Sequence, residues 1–188
     1  TPEDADVLAK LVNMAGEGLP LYLWSRMAEQ GQTAWEVGRH RARRDEGSFS
    51  YRNAVTIRKG DRPDGALIAC LIGYAIPEAP PPVDPDTPAL FVPLQELENL
   101  APGTWYVNVL AVLPEYRGQG HGGRLLAFAE AEARAARRRG LSIIVADANT
   151  AARRLYEGHG CRETAKRRMV KNGWSSPATD WVLLIKAF

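Results

Sequence analysis

The residues best placed to do chemistry in this chain form one string, Leu113-Pro114-Glu115-Tyr116-Arg117-Gly118-Gln119-Gly120-His121-Gly122-Gly123. Before it, Trp105 to Val112 has the aromatic and β-branched content of a strand. After it, Arg124 to Arg139 reads as a helix with Leu125, Leu126, Ala129, Ala133 and Ala136 along one stripe. The order strand, glycine loop, helix places backbone N–H groups at the positive end of a helix dipole, where no intrahelical carbonyl takes them. Such a terminus binds a phosphate, and glycines let the backbone approach it closely. Arg137 to Arg139 fall at the negative end of the same helix, which accounts for that basic run structurally.

A second string follows the next predicted strand, Ser142 to Ala146: Asn149-Thr150-Ala151-Ala152-Arg153-Arg154-Leu155-Tyr156-Glu157-Gly158-His159-Gly160. Gly118, Gly120 and Gly123 satisfy the dinucleotide register Gly-x-Gly-x-x-Gly literally. Leu113 to Tyr116, however, set those glycines too far from the strand, so a nucleotide-linked oxidoreductase is the weaker reading. Arg117-x-x-Gly120-x-Gly122 resembles instead the pyrophosphate-binding signature of the GNAT superfamily of N-acetyltransferases. The second string matches that superfamily's Asn-x-x-Ala-x-x-Leu-Tyr motif with its following glycine. Trp105 to Val112 looks like the family's fourth strand, whose bulge splays it from the fifth. Cys161 departs from the pattern, which commonly has an aromatic there.

The resemblance implies an α/β (α+β) fold of GNAT type, with a mixed, mostly antiparallel central sheet, a parallel splayed strand pair and helices on both faces. It implies acetyl-CoA as cosubstrate and acetyl transfer to a primary amine of a small molecule or peptide by direct attack. Arg117, Gly118, Gln119, Gly120, His121, Gly122 and Gly123 would hold the pyrophosphate, mostly through backbone N–H groups. The backbone of Leu110, Ala111 and Val112 would pair with the amide-rich pantetheine arm like an added strand. Asn149 would bond the cofactor from the next loop. Tyr156 would donate a proton to the leaving thiolate, and the N–H of Leu110 would stabilise the oxyanion. In this family the acceptor pocket comes from divergent connections, which here supply Tyr22, Trp24 and Arg26 on one side and Trp174 with Asp180 on the other. A catalytically idle acyl-CoA sensor is the rival reading within the same fold.

No general base is legible. A lysine acceptor, with an unperturbed pKa of about 10.4, costs about 4 kcal/mol to present neutral at physiological pH, whereas an α-amine near 7.8 costs well under about 1 kcal/mol. Some relatives have a glutamate on the fourth strand near the position of Asn108, and an amide accepts no proton, so a water relay or another carboxylate is required. His40, His121 and His159 have no partner in sequence.

The rest of the chain must position these groups. At 188 residues it is expected to form a single domain over 1–188. With 45% apolar and 24% charged residues it has the balance of a soluble globular protein. A net charge of +2 gives no case for nucleic acid or an anionic membrane. No apolar run reaches a membrane span and no signal peptide is evident, so a cytoplasmic location is expected. Cys70 and Cys161 are too few for a disulfide framework or a structural zinc site, and no metal is expected. The absence of an initiator Met reads as a trimmed chain, which leaves open a first strand ahead of Thr1. A homodimer is left open as well.

Thr1, Pro2 and Asp4 spell a helix start, with Leu8, Leu11, Val12 and Ala15 as its apolar face and Gly16 and Gly18 as its stop. Leu19 to Met27 is a connection or second short helix. Thr33 and Glu36 form a capping box for a third helix ending in Arg39 to Arg44. Asn53 to Arg58 and Ala66 to Tyr74 read as an antiparallel hairpin, and prolines 77 to 88 forbid regular structure before a short helix over 94–100. Arg162 to Val170 and Trp181 to Lys186 read as two final strands.

Overall fold

Thr1 and Asp4 make the predicted capping box, and the Asp4 carboxylate also accepts from the N-terminal ammonium at 2.8 Å and from Arg58 at 2.6 Å. The helix that this start launches, α1 (Ala5–Ala15), ends at Gly16. The computed structural model describes residues 1–47 and 49–188 of the chain. Gly18, at φ 83°, takes the left-handed conformation that opens α2 (Leu19–Met27), and Thr33 caps α3 (Ala34–Arg43) through the amide of Glu36. The hairpin is present as β1 (Ala54–Arg58) against β2 (Leu67–Ala75), antiparallel, with Val55 opposite Leu71. The proline-rich stretch leads into α4 (Val92–Asn99), which uses Pro93 in its first turn. Then come β3 (Trp105–Val112), α5 (His121–Ala135), β4 (Gly140–Ala146), α6 (Thr150–Gly158), β5 (Arg162–Arg168) and β6 (Asp180–Ala187).

The strands form a six-stranded sheet in the order β1-β2-β3-β4-β6-β5. It is mostly antiparallel, and its parallel pair is β3 with β4. This is the mixed architecture that the sequence implied. The parallel register runs from Trp105 opposite Leu141 to Val107 opposite Ile143, although β3 itself continues to Val112 and β4 to Ala146.

The chain divides into two compact units, Thr1–Ile72 with Val109–Leu125, and Gly73–Asn108 with Leu126–Phe188. In the first, Leu8, Leu11 and Trp24 pack with Leu67, Cys70 and Val109 into one buried cluster. Gly38 is required there, because a Cβ would lie 2.5 Å from the Trp24 ring. In the second, β6 is the central strand, paired on one side with β4 and on the other with β5, and Leu97, Leu141, Ile143, Leu183 and Leu184 are buried. Each such side chain contributes about 1.5–3 kcal/mol by leaving water.

α5 departs from its sequence expectation at both ends. α5 starts at His121, inside the glycine string, and stops at Ala135. Gly122 and Gly123 supply its first turn, with the Arg124 N–H bonding the Gly120 carbonyl at 3.1 Å. At the other end Arg137 adopts a positive φ of 53° and the Arg138 N–H turns back to Ala133 at 2.8 Å, closing the helix. Ala136 is therefore exposed rather than part of the apolar stripe.

Candidate functional site

In the first unit, β3 ends on alternating positions: Val109 and Ala111 are buried in the core, and Leu110 and Val112 are half-buried on the opposite side. Leu113 fixes the strand end by donating its N–H to the Ile68 carbonyl at 2.9 Å. A single helical turn over 114–116 follows, and then the glycines. Gly118 and Gly120 both have positive φ, 73° and 81°, and nothing lies within 4 Å of a Cβ built on either. Open space at a left-handed backbone is what a bound anion requires of a loop. The first i to i−4 bond of α5 is that of Arg124, so the amides of His121, Gly122 and Gly123 precede the helical ladder.

The Arg117 side chain is exposed and turns back along the strand, its Nε donating to the Val112 carbonyl at 3.1 Å. Gln119 is tied to the Glu115 carbonyl at 3.4 Å. Arg124, one turn into α5, pairs with Asp61 at 2.9 Å. Among the described residues, the buried His121 Nδ1 has no hydrogen-bond partner. This unit also contains two of the residues expected near the acceptor. Tyr22 is half-buried on α2. Trp24 is only 3% exposed, stacks on Phe49 and meets the edge of Trp35. It fills the core.

In the second unit, Asn149 is the N-cap of α6, its Oδ1 accepting from the Ala152 amide at 3.1 Å. Tyr156 lies on the buried side of the same helix, 6% exposed. Asp147, which follows β4, accepts from the Thr179 amide at 2.9 Å and so ties the loop before β6 to the end of β4. That loop holds Trp174, buried and stacked on Trp181 at 5.9 Å between ring centroids. Among the described residues, the Trp174 indole N–H has no hydrogen-bond partner. Asn108 is exposed on β3.

The structure adds a cluster that sequence reading missed. Tyr74 of β2 donates its hydroxyl to the Glu98 carboxylate of α4 at 2.9 Å, and the Tyr74 ring meets that of Tyr106 edge-on at 5.4 Å. Burial pushes the Glu98 carboxyl up, and the Tyr74 hydrogen bond pulls it partly back. Burial, reinforced by the charge of Glu98, raises the Tyr74 phenol strongly, so it remains a donor. Tyr106, buried, lies within electrostatic reach of Glu98, Tyr74 and Tyr156. No motif spacing marks residues 74, 98 and 106, and only the fold brings them together.

Among the described residues, no group of three or more His, Cys, Asp and Glu could hold a metal ion, and no helix is long and apolar enough to cross a membrane. Cys70 and Cys161 are buried free thiols. Burial raises them to about 12 and about 11, far from a reactive thiolate.

Among curated proteins none matches this chain. Solved structures do. One, described as the crystal structure of acetyltransferase, aligns over 100% of this chain and 96% of its own at a TM-score of 0.63 and 19% identity. An N-acetyltransferase from Staphylococcus aureus Mu50 aligns over 99% of this chain and 97% of its own at a TM-score of 0.62 and 17% identity. At these identities the likeness is one of fold. The sequence model of the acetyltransferase (GNAT) family matches residues 22–161, a span that contains the glycine loop, α6 and the tyrosine and glutamate cluster. The chain belongs to the GNAT acetyltransferase family.

Proposed function

We propose that the chain, as one domain over 1–188, moves an acetyl group from acetyl-CoA to a primary amine of a small molecule or peptide by direct attack. The observation that carries this reading is the open, left-handed backbone at Gly118 and Gly120 immediately before the first-turn amides of α5. These amides, with Arg117, are proposed to hold the pyrophosphate, and the backbone of Leu110, Ala111 and Val112 the pantetheine arm. Bound acetyl-CoA supplies an acyl thioester. The Leu110 N–H is proposed to donate to the oxygen on which negative charge develops, and Tyr156 to give its phenolic proton to the departing sulfur. Asn149 is proposed as a further cofactor contact from the start of α6, beyond its capping role.

On the acceptor side, Tyr22 is the half-buried aromatic of α2, whereas Trp24 is proposed to shape that helix from the core. Asn108 and Trp174 are proposed as acceptor-side residues of the second unit. The test is CoA release from acetyl-CoA across a panel of alkylamines, diamines and lysine-bearing peptides, alongside calorimetric titration with acetyl-CoA and with NAD. Release with at least one amine and binding of acetyl-CoA alone support the proposal. Tight acetyl-CoA binding without release from any amine would favour an acyl-CoA sensor, and binding of NAD alone would end the reading.

A further inference from the structure

We propose that Glu98, held by the Tyr74 hydroxyl at the end of α4, is the proton acceptor for the incoming amine and so fits the enzyme to acceptors that arrive as ammonium ions. This rests on the acetyltransferase reading above and supplies the base that β3, with an amide at Asn108, cannot.

The contrast with a neighbour on the same helix carries the argument. Glu96 is paired with Arg167 at 2.6 Å, an ordinary structural ion pair. Glu98, two residues on, is likewise half-buried but pairs with no cation among the described residues; its partner is the neutral Tyr74 phenol. A half-buried carboxylate without a counter-ion is costly to keep ionised, and structural positions rarely tolerate it. The missing cation is what an ammonium substrate would bring. Tyr106 and Asn108 alternate onto one face of β3, the first buried near Glu98 and Tyr74 and the second exposed to solvent. Tyr156, the proposed acid, is also within electrostatic reach of Tyr106.

The proton and electron accounting closes. The Glu98 carboxylate takes one proton from the ammonium group, and the freed nitrogen lone pair forms the C–N bond to the thioester carbonyl carbon. As the C–S bond breaks, its electron pair goes to sulfur, which Tyr156 protonates. The new amide nitrogen then returns its surplus proton to the Tyr156 phenolate, and Glu98 releases its proton to solvent. Burial moves the Glu98 carboxyl toward neutrality, where a base that must both accept and release a proton works best. Tyr74 on β2 bonds it directly, and Tyr106 on β3 lies within its electrostatic reach.

The test compares wild type with Glu98→Gln, using acetyl-CoA with a lysine-bearing peptide and a diamine as acceptors. Gln keeps the shape and can still accept from Tyr74. The expected result is a kcat lowered by about 100-fold or more at neutral pH, with acetyl-CoA affinity unchanged within about twofold. The variant should recover as the pH approaches about 10.4, where a lysine amine deprotonates unaided; a structural role would give no such recovery. An undiminished kcat, or a loss that persists at high pH, overturns the role of Glu98 and leaves the acetyltransferase reading standing. No turnover by the wild type with any amine overturns both. If Glu98→Gln does not fold, Glu98→Ala assayed with added formate reads the same step, and failure of formate to restore rate overturns the proposal.

Discussion

The glycine loop and the tyrosine and glutamate cluster are built on opposite plans. The loop runs continuously from Leu113 to Gly123 and is proposed to act through backbone N–H groups, so its chemistry is written in consecutive letters. The cluster takes Tyr74 from β2, Glu98 from α4 and Tyr106 from β3, and is proposed to act through side chains that meet only after folding. A backbone site is legible because its requirements, left-handed residues and a helix start, are local. A side-chain site assembled from three elements has no local requirement to read.

Beside the loss expected for Glu98→Gln, the largest effect is expected at Tyr156. Replacing it with Phe keeps the buried ring and removes the proton that the sulfur is proposed to take, so kcat should fall by about 100-fold. Acetyl-CoA affinity, which the loop is proposed to supply, should hold. Steady-state rates and a binding titration on the same preparation separate the two, and a rate equal to wild type would remove Tyr156 from the chemistry.

The loop should respond in the opposite sense. Gly120 has φ 81° and open space around it, so Val there meets no clash in the fold but is forced into a conformation a β-branched residue resists. That strain costs about 1–3 kcal/mol, and the variant should relieve it by pulling the loop out of shape. Acetyl-CoA affinity is expected to weaken by roughly 10- to 100-fold, while kcat at saturation changes little. Unchanged affinity would show that the loop does not grip the diphosphate.

The same division explains what the sequence disclosed. The capping boxes at Thr1 and Thr33, the hairpin and the strand from Trp105 to Val112 were all legible because each depends on neighbours in the chain. The start of α5 was placed too late because Gly122 and Gly123 read as loop, although as the first turn they are helical. Its end was placed too late because Arg137 adopts a left-handed φ with nothing in its type to announce it. Trp24 and Trp174 drew attention as aromatics of the acceptor-side connections, and both are buried, since an aromatic in a connection is drawn to whatever core lies beneath it. Glu98 escaped notice because a glutamate late in a short helix is ordinarily solvated, and only the Tyr74 hydroxyl and the surrounding burial set it apart from Glu96.

A core change in the second unit gives a reference for effects that are structural alone. Leu97 precedes Glu98 on α4 and is fully buried. Leu97→Ala should lower stability by about 2–5 kcal/mol, measured by denaturant unfolding. At a temperature where the variant is still folded, the pH dependence of its rate should match wild type. A shifted profile would mean that packing, not the charge on Glu98, sets the acid limb.

The smallest effect is the most discriminating. The Tyr74 hydroxyl stabilises the charged form of Glu98 and so holds its pKa below where burial alone would put it. Tyr74→Phe removes that hydrogen bond and leaves the ring against Tyr106, so the Glu98 pKa should rise further. A base must be ionised to act, and the rate climbs with pH through its pKa; the acid limb of the pH–kcat profile should therefore move to higher pH. The shift should be about one unit or less, the worth of one hydrogen bond to a charged group. Stability has its own sign. A raised folded pKa means that the contribution of Glu98 is fully present below its unfolded value and is lost as pH rises through the folded one. Tyr74→Phe should extend that favourable window upward while subtracting the hydrogen bond itself, so the variant loses stability mainly at neutral and higher pH and little in acid. Movement of the acid limb to lower pH, or no movement with kcat otherwise intact, would separate Tyr74 from Glu98 and dissolve the cluster as a functional unit.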